Sequence, residues 1–142
     1  MTCAGLLTRA GKRLRCGADH HACYGMHDFK RLRVWQEGRL LSADLHAVAR
    51  RFPKCDRQII ASQLRRSASG VPSAIAEGCG KDSRAETLRY LQIAAGSASE
   101  TEHHIISAGD LDYISAVECT LLAERASRLH RMIRALCRNF PR

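Results

Sequence analysis

Apolar residues recur at alternating steps of three and four along four segments of this chain, and no other feature constrains its fold as strongly. An α-helix brings residues at these steps onto one face, whereas a strand needs a period of two, which the chain does not show. The sequence therefore predicts four amphipathic helices. Their apolar rows are Val34, Gly38, Leu41, Leu45, Val48 and Phe52; Ala61, Leu64, Ala68, Val71, Ile75 and Gly78; Leu88, Leu91, Ala95, Ala98, Glu102 and Ile105; and Leu122, Ala126, Leu129, Ile133, Leu136 and Phe140.

The second helix has recognisable boundaries and one internal irregularity. Asp56 is a candidate N-cap, because its side chain can accept hydrogen bonds from free backbone N–H groups. Gly78 and Gly80 can adopt the positive φ that often ends a helix. Pro72 removes one backbone donor, which predicts a kink or a short break near residues 68–70.

Two serines mark the starts of the last two helices. Ser83 stands three residues before Glu86, and Ser115 stands three residues before Glu118, as in capping boxes. The third helix is predicted from about residue 84 to 108. The short connections between the four helices predict an all-α, up-and-down antiparallel four-helix bundle over residues 28–142.

Residues 1–27 have no sustained apolar period, and we expect a flexible N-terminal extension there. Zinc binding is an alternative for this segment, because thiols and imidazoles are its usual ligands. The spacing of the candidate ligands matches no common zinc module, so we favour no metal. These candidates are Cys16, His20, His21, Cys23 and His27.

Composition narrows the class of protein. No run approaches the ~18 apolar residues of a membrane span, and the N-terminus lacks the apolar core of a signal peptide. Seven cysteines is an odd number, which favours free thiols in a reducing cytoplasm. We expect Cys55, Cys79, Cys119 and Cys137 to act as small core residues in or beside helices.

The formal net charge is +9, and all but four of the 23 basic residues are arginines. Arginine binds phosphate through two parallel hydrogen bonds and stacks on bases, so nucleic acid is a reasonable partner. GC-rich codon usage, which inflates arginine at solvated positions, is the alternative explanation.

The strongest candidate for a binding surface is a row of arginines in the last helix. Steps near one helical turn place them along one side and let the row drift slowly around the axis, where it could follow a phosphate backbone. Pairing with acids of a neighbouring helix or subunit is the alternative. The row consists of Arg125, Arg128, Arg131, Arg134 and Arg138, and a second basic group is Arg65 and Arg66.

Acidic and imidazole side chains are interpreted as structural. Glu77, Glu100 and Glu102 are expected to form ion pairs, and the row position of Glu102 makes Arg65 or Arg66 its natural partner. The adjacent His103 and His104 point about 100° apart on a helix and do not favour one metal site. We therefore predict no catalytic residue, no metal and no cofactor.

Several motifs together resemble the four-helix-bundle family of 23S ribosomal RNA intervening-sequence proteins. The similarity extends from Phe29 to about Phe140, and one departure is Ala74, where the family usually has Asn. The motifs are Phe29-Lys-Arg-Leu-Arg-Val-Trp-Gln36, Phe52-Pro-Lys54, Ser62-Gln-Leu-Arg-Arg66, Val71-Pro-Ser-Ala-Ile-Ala-Glu-Gly78, Arg89-Tyr-Leu91, Gly96-Ser97 with Ser99-Glu100, and Tyr113-Ile114.

The resemblance implies a small non-enzymatic bundle. Some family members are encoded within insertions of ribosomal RNA genes. A similar bundle is the accessory protein of diversity-generating retroelements, where it forms a pentameric ring and binds RNA and a reverse transcriptase. The resemblance therefore implies a homopentamer with an RNA-linked role, although a shared fold alone is a weak guide to function.

Three functions stay open from the sequence. The first is a non-catalytic oligomeric module that binds RNA or a ribonucleoprotein through arginines. The second is a protein-interaction scaffold whose arginines pair with acids. The third is an enzyme such as a metal-dependent nuclease, and it has the least support.

Overall fold

The computed structural model describes residues 28–55 and 59–140. It contains a 3-10 helix at Phe29–Arg31 and four α-helices: α1 Arg33–Ala49, α2 Ile60–Cys79, α3 Arg84–Asp110 and α4 Ala116–Arg138. No strand occurs in these two ranges, so the predicted all-α class is confirmed. Three earlier predictions lie outside the described residues: the flexible extension 1–27, its zinc ligands and the N-cap at Asp56.

The helices form a four-helix bundle in which each helix contacts two neighbours. α1 packs against α2 and α4, and α3 packs against the same two helices, while the backbones of the diagonal pairs stay more than 8 Å apart. Short connections at residues 80–83 and 111–115 link α2 to α3 and α3 to α4. The chain therefore runs up and down around one core, as predicted. We call the line of contact between two neighbouring helices a seam.

The apolar rows of α1, α2 and α4 face the core as predicted. Their buried members include Leu45, Leu64 and Ile133, while Leu136 is only half-buried. The row of α3 is buried as predicted at Leu91, Ala95, Ala98 and Ile105, but two of its positions were predicted one residue out of place. Thr87 and Thr101 are buried where Leu88 and Glu102 were expected. Thr101 is accommodated because its hydroxyl donates to the carbonyl of Ser97 at 2.7 Å.

Both predicted serines cap their helices through the serine half of a capping box. The backbone N–H of Glu86 donates to Ser83 Oγ at 3.2 Å, and the N–H of Glu118 donates to Ser115 Oγ at the same distance. Each serine satisfies one of the free N–H groups that open a helix. These contacts fix the starts of α3 and α4 at the predicted residues.

The glycines at the end of α2 act differently from the prediction. Gly80 caps the helix at φ −88°, so the left-handed conformation is not used. Gly78 is buried against α3, where an added Cβ would lie 3.0 Å from Tyr90 Cβ. Gly78 is therefore required for close helix packing and not for ending the helix.

Pro72 does not break α2, which runs without interruption from Ile60 to Cys79. Its ring lies on the side of α1, where a Cβ added to Gly38 would sit 3.8 Å from Pro72 Cδ and 3.4 Å from Val71 Cγ1. The small residue on α1 leaves room for the proline ring. Of the predicted kink or short break near residues 68–70, the break is therefore absent, and the kink stays a prediction.

The α2–α3 seam is built from small residues. Gly70, Ala74 and Gly78 recur at steps of four on α2, and a Cβ at Gly70 would lie 3.0 Å from Ser97 Oγ. Ala74 is buried in the middle of this row. The missing side-chain volume brings the two helix backbones close together, which leaves little room for larger residues on this face.

Candidate functional site

The arginine row of α4 divides into two groups. A step of three residues falls about 60° short of a full helical turn, so the row moves around the axis as it descends. Arg125 and Arg128 lie at the edge that faces α1. Arg125 Nη1 is 2.8 Å from Asp44 Oδ2, and Arg128 Nη2 is 3.6 Å from Glu37 Oε2. These two arginines therefore form ion pairs within the chain.

The remaining three arginines lie further round the helix and are exposed to solvent. Arg131 Nη1 donates to Ser127 Oγ on the same helix at 2.9 Å. Arg134 and Arg138 have no acidic partner in the part of the chain that the structure describes. We call Arg131, Arg134 and Arg138 the outer arginines, because their charge is available to a ligand.

Arg65 and Arg66 do not join this surface. They lie on α2, the helix diagonal to α4, whose backbone is more than 8 Å away. Arg66 is exposed and Arg65 is half-buried. Neither forms the predicted ion pair with Glu102, which is half-buried and makes no ion pair within the described residues. The second basic group is therefore separate from the first.

A third ion pair, between α4 and the end of α1, has no signal in the sequence. Arg51, just beyond α1, pairs with Glu118 in the first turn of α4. The capping box identified Glu118, but its partner lies 67 residues away and no local pattern connects them. We call Arg51, Arg125 and Arg128 the paired arginines.

Additional positive charge lies at the end of the bundle where α4 finishes. α1 starts at this end, and Lys30, Arg31 and Arg33 are exposed there. Asp28 is also at this end, where its carboxylate accepts the backbone N–H of Lys30 at 3.3 Å. The run Phe29-Lys-Arg-Leu-Arg33 carried this signal in the sequence, but it was interpreted only as part of a family resemblance.

The family model of the 23S rRNA-intervening sequence proteins matches residues 30–135. The chain belongs to this family. A solved structure with a similar fold is a protein of unknown function from the S23 ribosomal protein family of Bacteroides thetaiotaomicron. The two share 18% identity with a TM-score of 0.68, over 75% of this chain and 99% of the other. Comparison with curated proteins returns no match.

The histidines and carboxylates of this intervening-sequence family member are dispersed over the described residues. No three His, Cys, Asp or Glu side chains there come close enough to hold a metal ion. His46 Nε2 lies 2.9 Å from Ser69 Oγ, which links α1 to α2. His104 Nε2 lies 3.5 Å from Glu100 Oε1, so Glu100 has a partner on its own helix. Glu77 makes no ion pair within the same described part, contrary to prediction.

The four described cysteines of this family member lie only partly in the core, where all four were predicted. Cys79 is buried, Cys119 and Cys137 are half-buried, and Cys55 is exposed, so the core prediction fails for Cys55. Burial raises the pKa of the Cys79 thiol, and burial also raises the pKa of Cys137 despite the nearby Arg134 and Arg138. Both groups are therefore weaker nucleophiles at neutral pH than an ordinary cysteine.

No helix in the two described ranges is both long enough and apolar enough to cross a lipid bilayer.

Proposed function

We propose that this chain is a non-catalytic, oligomeric helical bundle that binds RNA or a ribonucleoprotein through the outer arginines of α4. One observation supports this most directly: Arg131, Arg134 and Arg138 are exposed, and none has an acidic partner among the described residues. Guanidinium groups without carboxylate partners keep their full capacity to bind phosphate oxygens.

The geometry of α4 suits a phosphate chain. Arg131 and Arg138 are separated by about 10 Å along the helix axis, at about 1.5 Å per residue. Three guanidiniums within that length can neutralise several neighbouring phosphates of one strand and release their counterions. Lys30, Arg31 and Arg33 add positive charge at the same end of the bundle. We expect affinity without strong sequence preference, because phosphate contacts carry no base information.

The test is fluorescence anisotropy with a labelled RNA hairpin, titrated at several potassium chloride concentrations. Replacing Arg131, Arg134 and Arg138 together by Gln should weaken binding and reduce the slope of log affinity against log salt by about 2. The matched control replaces three exposed arginines on α1, α2 and α3, namely Arg39, Arg66 and Arg89, by Gln, which removes the same charge. An unchanged slope in the outer variant, or an equal loss in the control, contradicts the proposal.

A scaffold is the second candidate, because Arg125 and Arg128 do pair with acids of a neighbouring helix. In that case the outer arginines pair with acids of another subunit. Native mass spectrometry separates the two functions. If the protein is a scaffold, the outer variant changes the number of subunits in the assembly. The wild-type protein then does not bind RNA.

The oligomeric part of the proposal rests on the family resemblance, which suggests five copies and a ribonucleoprotein that includes a reverse transcriptase. The native mass of purified protein should equal five chains. Nuclease treatment before the measurement removes bound RNA, so the same run reports subunit number and co-purifying nucleic acid. A monomeric mass in both runs contradicts the oligomer.

A further inference from the structure

The α1–α4 seam concentrates charge in a way that the fold does not require. Three ion pairs join α4 to α1 or its C-terminal flank: Arg51 with Glu118, Arg125 with Asp44, and Arg128 with Glu37. They follow the seam from the start of α4 to its middle. All six side chains remain at least partly exposed to solvent.

The helix backbones beneath these pairs lie further apart than at the other three seams, although Leu41 and Leu129 are buried there. A cavity of about 10 Å³ lies within the α1–α4 seam, bounded by charged groups and by Leu41, Leu129 and Met132. That volume has room for about one water molecule, and its charged walls could bind it. The interior of this seam is therefore less well sealed than an ordinary apolar contact.

The chain connectivity allows α1 to move relative to α4. α1 precedes the other three helices, so the chain joins it directly to α2 alone. α2 and α3 are joined by a short corner and by close contacts at Gly70 and Gly78. A separation of α1 from α4 can therefore leave the α2–α3 pair intact.

We propose that the α1–α4 seam is an ion-pair latch, which opens locally when its three pairs are screened or neutralised while the α2–α3 seam stays closed. Salt acts selectively on this seam because exposed ion pairs are screened by mobile ions, whereas steric packing is not. The inference does not depend on RNA binding.

Met132 is a natural reporter of this opening. It is half-buried, it lines the cavity, and it is the sole methionine within the described residues. Its thioether is oxidised by hydrogen peroxide at a rate that follows solvent access, and peptide mass spectrometry measures that rate. A Leu91→Met variant supplies the comparison, because Leu91 is fully buried on α3, away from the latch, and Leu→Met is a mild exchange.

The experiment compares oxidation in about 0.1 M and about 1 M potassium chloride, between which the screening length falls from about 10 to about 3 Å. Oxidation of Met132 should accelerate about fivefold, the change expected when several weak pairs are lost together. The thioether introduced at position 91 should keep its rate. Free methionine in the same buffers corrects for any effect of salt on the chemistry.

Charge neutralisation provides the second arm. The variant Glu37→Gln, Asp44→Asn, Glu118→Gln should show fast oxidation of Met132 already at low salt and no further response to salt. The matched control is Glu77→Gln, Asp110→Asn, Glu124→Gln, which changes the same charge at residues without ion pairs among the described residues. In this control, Met132 should be oxidised at the wild-type rate at both salt concentrations.

Three outcomes overturn the latch: no salt effect on Met132, equal acceleration at position 91, or equal acceleration in the control variant. The second would show that salt loosens the whole bundle. If the neutralised variant fails to fold, the salt comparison on the wild-type chain still decides the question.

Discussion

The α2–α3 seam and the α1–α4 seam hold neighbouring helices of one bundle by different means. In the first, Gly70 and Gly78 let the backbones approach until an added Cβ would lie 3.0 Å from the facing side chain. In the second, the backbones lie further apart, and exposed ion pairs such as Arg125 with Asp44 line the edge of the buried contact. The first seam depends on the close approach of two backbones, whereas the second adds charge at its edge.

This difference determines what each seam tolerates. Close packing is sensitive to single methyl groups but indifferent to salt. Exposed ion pairs accept changes of side-chain volume but respond to ionic strength, and each contributes only about 0.2–1 kcal/mol. We therefore expect stability to depend mainly on the α2–α3 seam, and local opening to occur at α1–α4.

The largest expected effect is at Gly78. A Gly78→Leu substitution should lower the free energy of unfolding by about 3 kcal/mol, because the new side chain overlaps Tyr90 and the helices cannot separate without losing packing. Gly96→Leu on the exposed side of α3, where an added Cβ meets nothing within 4 Å, should instead stabilise by about 0.5 kcal/mol through helix propensity.

Urea unfolding followed by circular dichroism measures both changes at Gly78 and Gly96. A Gly78→Leu protein as stable as the wild type would show that the α2–α3 seam accommodates a larger side chain. It would contradict the view that close backbone approach distinguishes this seam from α1–α4.

The sequence predicted the architecture because the spacing of apolar residues within each helix indicates which face is buried. Steps of three and four identified the core faces of α1, α2 and α4, and Ser83 and Ser115 identified two helix starts. The row of α3 was harder. Its centre is rich in alanine, so neighbouring faces look alike, and Glu102 was placed by spacing where Thr101 is buried.

Contacts between distant segments could not be predicted in the same way. The arginine row of α4 was visible, but Asp44 lies 81 residues before Arg125 and nothing local encodes their register. The role of Gly78 also depends on Tyr90, a residue of the next helix. The packed structure was therefore needed to show which arginines of α4 form ion pairs within the described residues.

The α3–α4 seam also has a close contact at a glycine, as α2–α3 does. A Cβ added to Gly109 would lie 2.6 Å from Cys119 Sγ. Gly109→Ala should destabilise by about 1 kcal/mol, because the thiol must move aside. In the background of Cys119→Ala the same substitution should be neutral or stabilising, which gives a coupling of about 1 kcal/mol in a double-mutant cycle. Additive effects would show that the thiol adjusts freely and that this seam is looser than α2–α3.

The smallest effect is expected at the charged seam. Asp44→Asn should lower the free energy of unfolding by about 0.5 kcal/mol at low salt, because it leaves Arg125 without its carboxylate in a solvated position. Arg125→Gln should cost a similar amount, and the double variant should cost little more than either one. In about 1 M salt the coupling between the two positions should vanish, since screening removes what the cycle measures. Chemical unfolding of the four proteins at both salt concentrations provides the data. A coupling that persists at high salt would mean that the two side chains interact through packing, and the α1–α4 seam would then depend on shape, as α2–α3 does.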